Sequence, residues 1–166
     1  MAKTIRINGL SEAAINAAAQ ELRRYADWVG QKETELRQRL AARGATVASI
    51  QFARAVYNGI NDVSVRVDDT GSVAVIYAEG ESVAFIEFGS GERYGHGHPQ
   101  AGQFGVGPGT WSDGPDGKGH WDNPKGWWYG HGQHSYGNPP AMAMYNAVQA
   151  MTEDITQIAR EVFGST

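Results

Sequence analysis

The sequence FIEFGSG, from Phe85 to Gly91, marks the place where the composition of the chain changes. On its N-terminal side lie most of the alanines and aliphatic residues, arranged in periodic runs. On its C-terminal side, residues 89–140 hold 15 of the 22 glycines, all 6 prolines, all 5 histidines and four of the 5 tryptophans. This distribution predicts a folded body that is interrupted by one long irregular loop.

The residues just before FIEFGSG predict a small antiparallel sheet. DVSVRV (62–67) alternates apolar and polar residues, DDTG (68–71) has turn chemistry, and SVAVIYA (72–78) is an apolar strand of matching length. We therefore expect a β-hairpin. The next run, SVAFIEF (82–88), fits either a third strand or a short helix, and its β-branched and aromatic residues do not decide between them.

The N-terminal third predicts two helices. Ser11 is a good N-cap, and apolar residues then recur at spacings of three and four up to Arg43, so we expect the first helix to end near Gly44. A second helix is expected from Thr46 to Tyr57. A first helix of this length spans about 50 Å, which exceeds the roughly 34 Å diameter of a compact body of this size. Either Gly30 bends it or its end meets another subunit.

The C-terminal segment predicts the clearest helix. Asn138, Pro139 and Pro140 are read as a cap and helix start, and the apolar residues from Ala141 to Val162 follow alternating spacings of three and four. The order helix, helix, strand, strand, loop, helix contains no alternating strand–helix units. We therefore predict a single α+β domain over residues 1–166, with the loop at 89–140 inserted before the last helix.

Composition narrows the functional classes. The chain has 166 residues, a formal net charge of -4 and no cysteine, which excludes disulfides, thiol nucleophiles and Cys-ligated metals. No apolar run is long enough to span a membrane, and the N-terminus lacks the apolar core of a signal peptide. We expect a soluble, unexported protein without a membrane partner and, given the net charge, without a nucleic-acid partner.

The histidines suggest a metal site as one alternative. His96 and His98 form an H-x-H pair, and His131 and His134 would be able to complete a ligand set. No acidic residue follows the H-x-H at the spacing that a cupin-type site needs, and the H-E-x-x-H motif is absent. We predict no metal and no cofactor, and keep a metal-dependent enzyme or binding protein as the alternative.

Other catalytic patterns are weaker. Gly89-Ser90-Gly91 lacks the following helix that a dinucleotide fingerprint requires, and Ser90 does not lie in G-x-S-x-G. Glu79, Glu81 and Glu87 fit the solvated face of apolar elements as well as an acid/base pair. We therefore predict no catalytic residues and no enzymatic activity.

Aromatic residues set among glycines give the loop a second character. They would be able to stack on sugars, as in a carbohydrate-binding module, but large rigid rings also bury area against proteins at little entropic cost. We favour protein contact for these six residues: Trp111, Trp121, Trp127, Trp128, Tyr129 and Tyr136.

The whole organisation resembles the tail-completion, or head–tail joining, family of long-tailed bacteriophages and prophages. In that family an aliphatic segment ends in an E-F-G-T/S-G motif, a variable loop follows, and prolines start the last helix. Glu87, Phe88, Gly89, Ser90 and Gly91 match the first motif, while Pro139, Pro140 and, more loosely, Ala147 match the second. The chain departs from the family in its long loop and in lacking the usual D-T-G-x-L.

The resemblance implies a non-enzymatic virion protein of the tail neck, made in the host cytoplasm. It would form a homo-oligomeric ring of about six subunits between the head connector and the tail-tube or tail-terminator proteins. The motif residues would then be structural. We expect Gly89 and Gly91 to permit a tight backbone exit from the sheet, Phe88 to anchor in the core, and Glu87 to pair with a basic residue of the body or of a neighbour.

Overall fold

The computed structural model describes residues 4–5, 9, 11–55, 61–91, 93–95, 97–104, 127–129 and 133–164. It has a long N-terminal helix, a small antiparallel sheet and a C-terminal helix, which confirms the α+β class. The elements are α1 (Glu12–Arg54), β1 (Ser64–Asp68), β2 (Val75–Glu79), α2 (Val83–Phe88), α3 (Ala101–Phe104), β3 (Trp127–Tyr129), β4 (Gln133–Ser135) and α4 (Ala143–Gly164).

Helix α1 is capped at both ends by side chains. Its 43 residues span about 64 Å. Ser11 is the N-cap, and its Oγ accepts a hydrogen bond from Ala14 N–H at 3.2 Å, as predicted. At the other end, Asn61 Nδ2 donates to the carbonyl oxygens of Phe52 and Ala55 at 2.8 and 3.0 Å. Asn61 thus adds a side-chain donor to two carbonyls at the end of the helix, and Phe52 O also accepts from Ala55 N–H at 3.0 Å.

The predicted break of the helix near Gly44 is wrong, and so is the separate second helix from Thr46 to Tyr57. Helix α1 runs through Gly44 without interruption to Arg54, and residues 56–60 lie outside the described part. A Cβ atom at Gly44 would lie 2.6 Å from both Ile76 Cδ1 and Met151 Sδ. The glycine is therefore a site of close approach to β2 and α4, not a helix end.

Helices α1 and α4 pack side by side in opposite directions. The two helices and α2 share one buried core cluster. It consists of Ala48 and Phe52 from α1, Ile86 from α2, and Ala143 and Ala147 from α4. Salt bridges lie farther along the pair, between Arg43 and Asp154 at 2.7 Å and between Arg39 and Glu161. The ring of Phe163, near the end of α4, meets Trp28 edge-on at 5.9 Å. The part of α1 before Trp28 therefore extends past the end of α4.

The predicted hairpin is confirmed as β1 and β2, paired antiparallel with Val65 opposite Ala78 and Arg66 opposite Tyr77. Val65 and Ala78 pack on the core, and Asp68 Oδ1 accepts from Thr70 N–H at 3.1 Å in the turn. The segment whose class was open is a helix, α2. Its placement brings Ile86 into the core and leaves Glu87 buried beside α4.

The segment 89–140, which we predicted to be one irregular loop, contains regular secondary structure in its described parts. Its described residues include the short helix α3 and the hairpin of β3 and β4, in which Trp128 lies opposite His134. Residues 105–126 lie outside the described part. Among the helices that the structure describes, none is long and apolar enough to cross a membrane.

Candidate assembly site at the junction of α2 and α4

The two ends of the 89–140 segment meet at one place, which we call the junction: residues 86–91 against residues 137–145. Backbone hydrogen bonds run from Ala141 N–H to Ile86 O at 2.8 Å and from Met142 N–H to Glu87 O at 3.2 Å. Ser90 and Asn138 close the far side, because Ser90 N–H donates to Asn138 O at 2.9 Å and Asn138 N–H donates to Ser90 Oγ at 3.1 Å. The chain is thus joined to itself across the base of the loop.

Glu87 caps the last helix from a distance. Its side chain is only 6% exposed, and its carboxylate accepts from Met144 N–H at 2.9 Å and from Tyr145 N–H at 3.0 Å. These are N–H groups of the first turn of α4, which have no acceptor within the helix. A carboxylate at this end also lies at the positive pole of the helix dipole. Glu87 therefore acts as the N-cap that the local sequence of α4 does not supply.

His98 completes the surroundings of Glu87. Its Nδ1 accepts from Gln100 N–H at 3.0 Å, and its Nε2 lies 3.3 Å from Glu87 Oε1. Because Nδ1 accepts a hydrogen bond, the proton of the ring is on Nε2, which donates to the carboxylate. The His98 side chain is 1% exposed. The centre of its ring lies 4.5 Å from that of Phe88 and 5.6 Å from that of Tyr145.

Glycines allow the two backbone segments of the junction, residues 86–91 and 137–145, to approach each other closely. Gly89 and Gly91 have φ of 78° and 77°, in the region that favours glycine. They follow helix α2, so the tight exit that we expected from the sheet is an exit from a helix. Gly137 has φ of 94°, and a Cβ there would lie 1.9 Å from Ser90 O. Any side chain at Gly137 would therefore separate residue 137 from Ser90.

The junction corrects two expectations. Asn138, Pro139 and Pro140 do not cap or begin the helix, because α4 starts at Ala143 and its cap is Glu87. We expected Glu87 to pair with a basic residue of the body or of a neighbour, and its partners are two backbone N–H groups of α4 and the ring of His98. Pro140 has a packing role instead, since its nitrogen would lie 2.9 Å from a Cβ at Gly89.

A second carboxylate positions the helix that carries Glu87. Asp62 accepts from Glu81 N–H at 2.6 Å and from Ser82 N–H at 3.2 Å, just before α2 begins at Val83. Desolvation raises the pKa of Asp62, but the hydrogen bonds from Ser82 and Glu81 outweigh it and leave this pKa below its ordinary value.

The structure places the histidines of the metal alternative as follows. His98 already uses both ring nitrogens, and His134, on β4, packs against the ring of Tyr136 at 4.7 Å. His96 and His131 lie outside the described residues. Within the described ranges, no group of three or more His, Asp or Glu side chains is arranged to hold a metal ion.

Of the six loop aromatics, one has a described side chain. Tyr136 is 46% exposed, and the guanidinium of Arg93 lies 5.6 Å from the centre of its ring. Trp127, Trp128 and Tyr129 form β3, and Trp111 and Trp121 lie outside the described residues. Tyr136 stands next to Gly137, so an aromatic side chain is exposed directly beside the junction.

Comparisons of the chain with protein-family models, with curated proteins and with solved structures find no match. The candidate function therefore depends on the sequence motifs and on the geometry of the junction.

Proposed function

We propose that this chain is a structural protein of the tail neck of a long-tailed bacteriophage or prophage, one subunit of a ring between the head connector and the tail tube. The observation that carries the proposal is the cap of α4 by Glu87. Through it, residues 87–91 and the proline pair at 139–140, the two motifs of the family resemblance, belong to one contact although a long segment separates them in sequence.

The junction suits a role in assembly because it holds a loop on a stable base. Glu87 and Ser90 tie the two ends of the segment to α4 and to Asn138 through backbone N–H groups. A loop held in this way can present its aromatic residues, Tyr136 among them, to a neighbouring protein. The partners we propose are the connector on one side and the tail-tube or tail-terminator protein on the other.

Exposed apolar side chains on the helices support self-association. Leu22 and Ile15 on α1 are 56% and 49% exposed, and Val148 and Ile155 on α4 are also exposed. Such residues in rows on helices are more typical of protein contacts than of a free surface. The proposed activity is assembly, and it uses neither a cofactor nor a catalytic residue.

The test is deletion of the gene from the phage or prophage genome that carries it, followed by electron microscopy of the particles. We expect filled heads and finished tails that remain separate, and joined particles again when the wild-type chain is supplied in trans. A chain with Glu87→Ala should restore joining poorly, whereas the exposed α4 variant Glu153→Ala should restore it fully. Normal numbers of joined, infectious particles after deletion would contradict the proposal.

A further inference from the structure

Arg93 packs on two aromatic rings beside the junction. Its guanidinium carbon lies 5.3 Å from the centre of the Tyr94 ring and 5.6 Å from that of Tyr136. Both distances are within the roughly 6 Å over which a cation is attracted to the face of a ring. The ring of His134 meets that of Tyr136 edge-on at 4.7 Å. We call Arg93, Tyr94, His134 and Tyr136 the arginine patch.

Hydrogen bonds of the backbone hold the two tyrosines in place. Tyr94 N–H donates to Gly91 O at 3.2 Å. On the other side, Tyr136 lies two residues before Asn138, whose N–H and carbonyl are both bonded to Ser90. The two rings that contact the guanidinium are therefore attached to the same base. A side chain that is already ordered in this way loses less entropy when a partner binds.

The guanidinium of Arg93 has no acceptor in the described part of the chain. Three other arginines, Arg39, Arg43 and Arg66, form salt bridges with carboxylates of the chain itself. Arg93 is exposed and makes no hydrogen bond or ion pair with any of the described residues. Its N–H donors are therefore available to an acceptor from outside the chain.

The acceptor that fits this group best is a carboxylate on a protein. A guanidinium and a carboxylate are both planar and can form two parallel hydrogen bonds. A phosphate group also matches the guanidinium, but binding of nucleic acid takes several cations. Arg93 is the only arginine or lysine of the patch, and the chain has a net charge of -4. Arginine and tyrosine are also the residue types that are enriched at the centres of protein contacts.

We propose that the arginine patch binds an aspartate or glutamate side chain of the protein that adjoins this chain in the neck. Arg93 recognises the carboxylate, and Tyr94 and Tyr136 hold the guanidinium in position. This inference rests on the proposed function and adds the chemistry of the partner. Because the patch lies at the base of the segment that we assign to the connector or the tail protein, one of these proteins is the partner, and a second copy of the chain is not.

A titration with glutarate, a small dicarboxylate, tests the patch in the purified chain. The Nε–H signals of single arginines are followed in NMR spectra of an isotopically labelled sample. We expect the Arg93 signal to respond at glutarate concentrations at least about threefold lower than the signal of Arg24, an exposed arginine of α1, because the ordered side chain loses less entropy. An equal response of both arginines would overturn the inference. Tighter binding at Arg93 of a thymidine oligonucleotide than of an oligoglutamate of equal length would overturn it as well.

Particle joining tests the contact with the partner. In the deletion strain, Arg93→Glu should give at least about tenfold fewer joined particles than the wild-type chain, since loss of a central arginine weakens a contact by this factor or more. Arg24→Glu is the matched control and should join particles as well as the wild type, and circular dichroism checks that both variants are folded. Phages that regain joining with Arg93→Glu should carry a lysine or arginine in place of an acidic residue of the connector or the tail protein.

Two results in the phage would overturn the inference: joining by Arg93→Glu at the level of the control, or compensating changes that are confined to this chain, which would place the contact between copies. The failure of the proposed function has a different signature. Normal joining after deletion of the gene would remove the neck function, and selective binding of glutarate at Arg93 would then leave the patch as a carboxylate site. Joining that needs the chain but tolerates Arg93→Glu would leave the neck function without this contact.

Discussion

Glu87 and Met144 are 57 residues apart in sequence, yet the carboxylate of one accepts the backbone N–H of the other at 2.9 Å. The same carboxylate also takes the next N–H of α4 and the ring of His98. The N-cap of a helix is usually a residue just before its first turn. In α4 this role belongs to Glu87, a residue of helix α2. The stability of α4 and the position of α2 are therefore coupled through one side chain.

We predict that Glu87→Ala lowers the free energy of unfolding by about 2 kcal/mol or more, since loss of an N-cap costs up to about 2 and the buried N–H groups stay unsatisfied. Glu87→Gln should cost less, because the amide oxygen can still accept one of the two hydrogen bonds. Urea denaturation followed by circular dichroism gives both values. Glu153→Ala is the control, and equal stability of Glu87→Ala and Glu153→Ala would refute the capping role.

Two glycines of α1 should respond in opposite ways to the same change. Gly30→Ala should stabilise the protein by roughly 0.5–1 kcal/mol, because nothing lies within 4 Å of the new Cβ and alanine favours the helix. Gly44→Ala should destabilise it by about 1 kcal/mol, since the Cβ would overlap Ile76 and Met151. Thermal unfolding of the pair decides the matter, and a gain of stability in both would show that Gly44 is not a packing residue.

We predict that Gly137→Ala is among the most damaging single changes to the junction, at a cost of about 3 kcal/mol, because it combines an unfavourable positive φ with a direct clash. Its Cβ would lie 1.9 Å from Ser90 O. Gly71→Ala, in the turn of the β1–β2 hairpin, meets only Val73 N at 4.0 Å and is the control. Hydrogen exchange at Ser90 and Asn138 should accelerate in Gly137→Ala and remain unchanged in Gly71→Ala.

Removal of metal ions should leave the fold unchanged. Both ring nitrogens of His98 are used by Gln100 and Glu87, so this histidine is not free to bind a metal without giving up those hydrogen bonds. Melting temperatures with and without a chelator should agree within about 1 °C, which corresponds to a change of only about 0.3 kcal/mol in stability for a protein of this size. A fall of several degrees on chelation, or zinc in equal amount to the purified protein, would favour the metal alternative.

Stability should decrease in acid. The pKa of Glu79 is lowered by its hydrogen bond from Arg66, and that of Glu161 by hydrogen bonds from Gln157 and Arg39. Asp62 also has a lowered pKa. A carboxyl group whose pKa is lower in the folded state stabilises the fold above its unfolded pKa, and this contribution is lost as the pH falls through the folded pKa.

We therefore predict that the melting temperature decreases below a pH of about 4.5 and that Asp62→Asn weakens this dependence. Thermal unfolding of both proteins over a series of acidic buffers measures the slope. If the variant loses stability with falling pH as steeply as the wild type does, the hydrogen bonds of Asp62 do not contribute in the way proposed.

Local patterns were sufficient for the β1–β2 hairpin, the start of α1 and most of α4. The alternation in DVSVRV and the turn residues after it predicted the hairpin, and Ser11 predicted the start of α1. The spacing of apolar residues predicted α4, although not its first residue. In each case the decisive interaction lies within a few residues along the chain, which is the range that periodicity and capping rules cover.

Contacts between segments that are distant in sequence were missed, because periodicity and capping rules cover only a few neighbouring residues. Gly44 reads as a helix end in sequence, and only the approach of Met151 explains it as a packing site within a helix. The cap of α4 was assigned to Asn138 because that residue is adjacent, whereas Glu87 is brought there by the fold. The one usable signal was a glutamate within an otherwise apolar run, a residue type that is seldom buried without a partner.

The hydrogen bonds between Ser90 and Asn138 separate the fold of the body from the length of the segment that they enclose. They close the chain across 48 positions, so the helices and the hairpin do not depend on how long the enclosed segment is. Doubling a closed loop costs only about 0.6 kcal/mol in entropy. Insertions, deletions or whole replacement of the residues between α3 and β3 should therefore leave the fold of α1, β1, β2 and α4 intact, so this part of the sequence can change while the body stays the same.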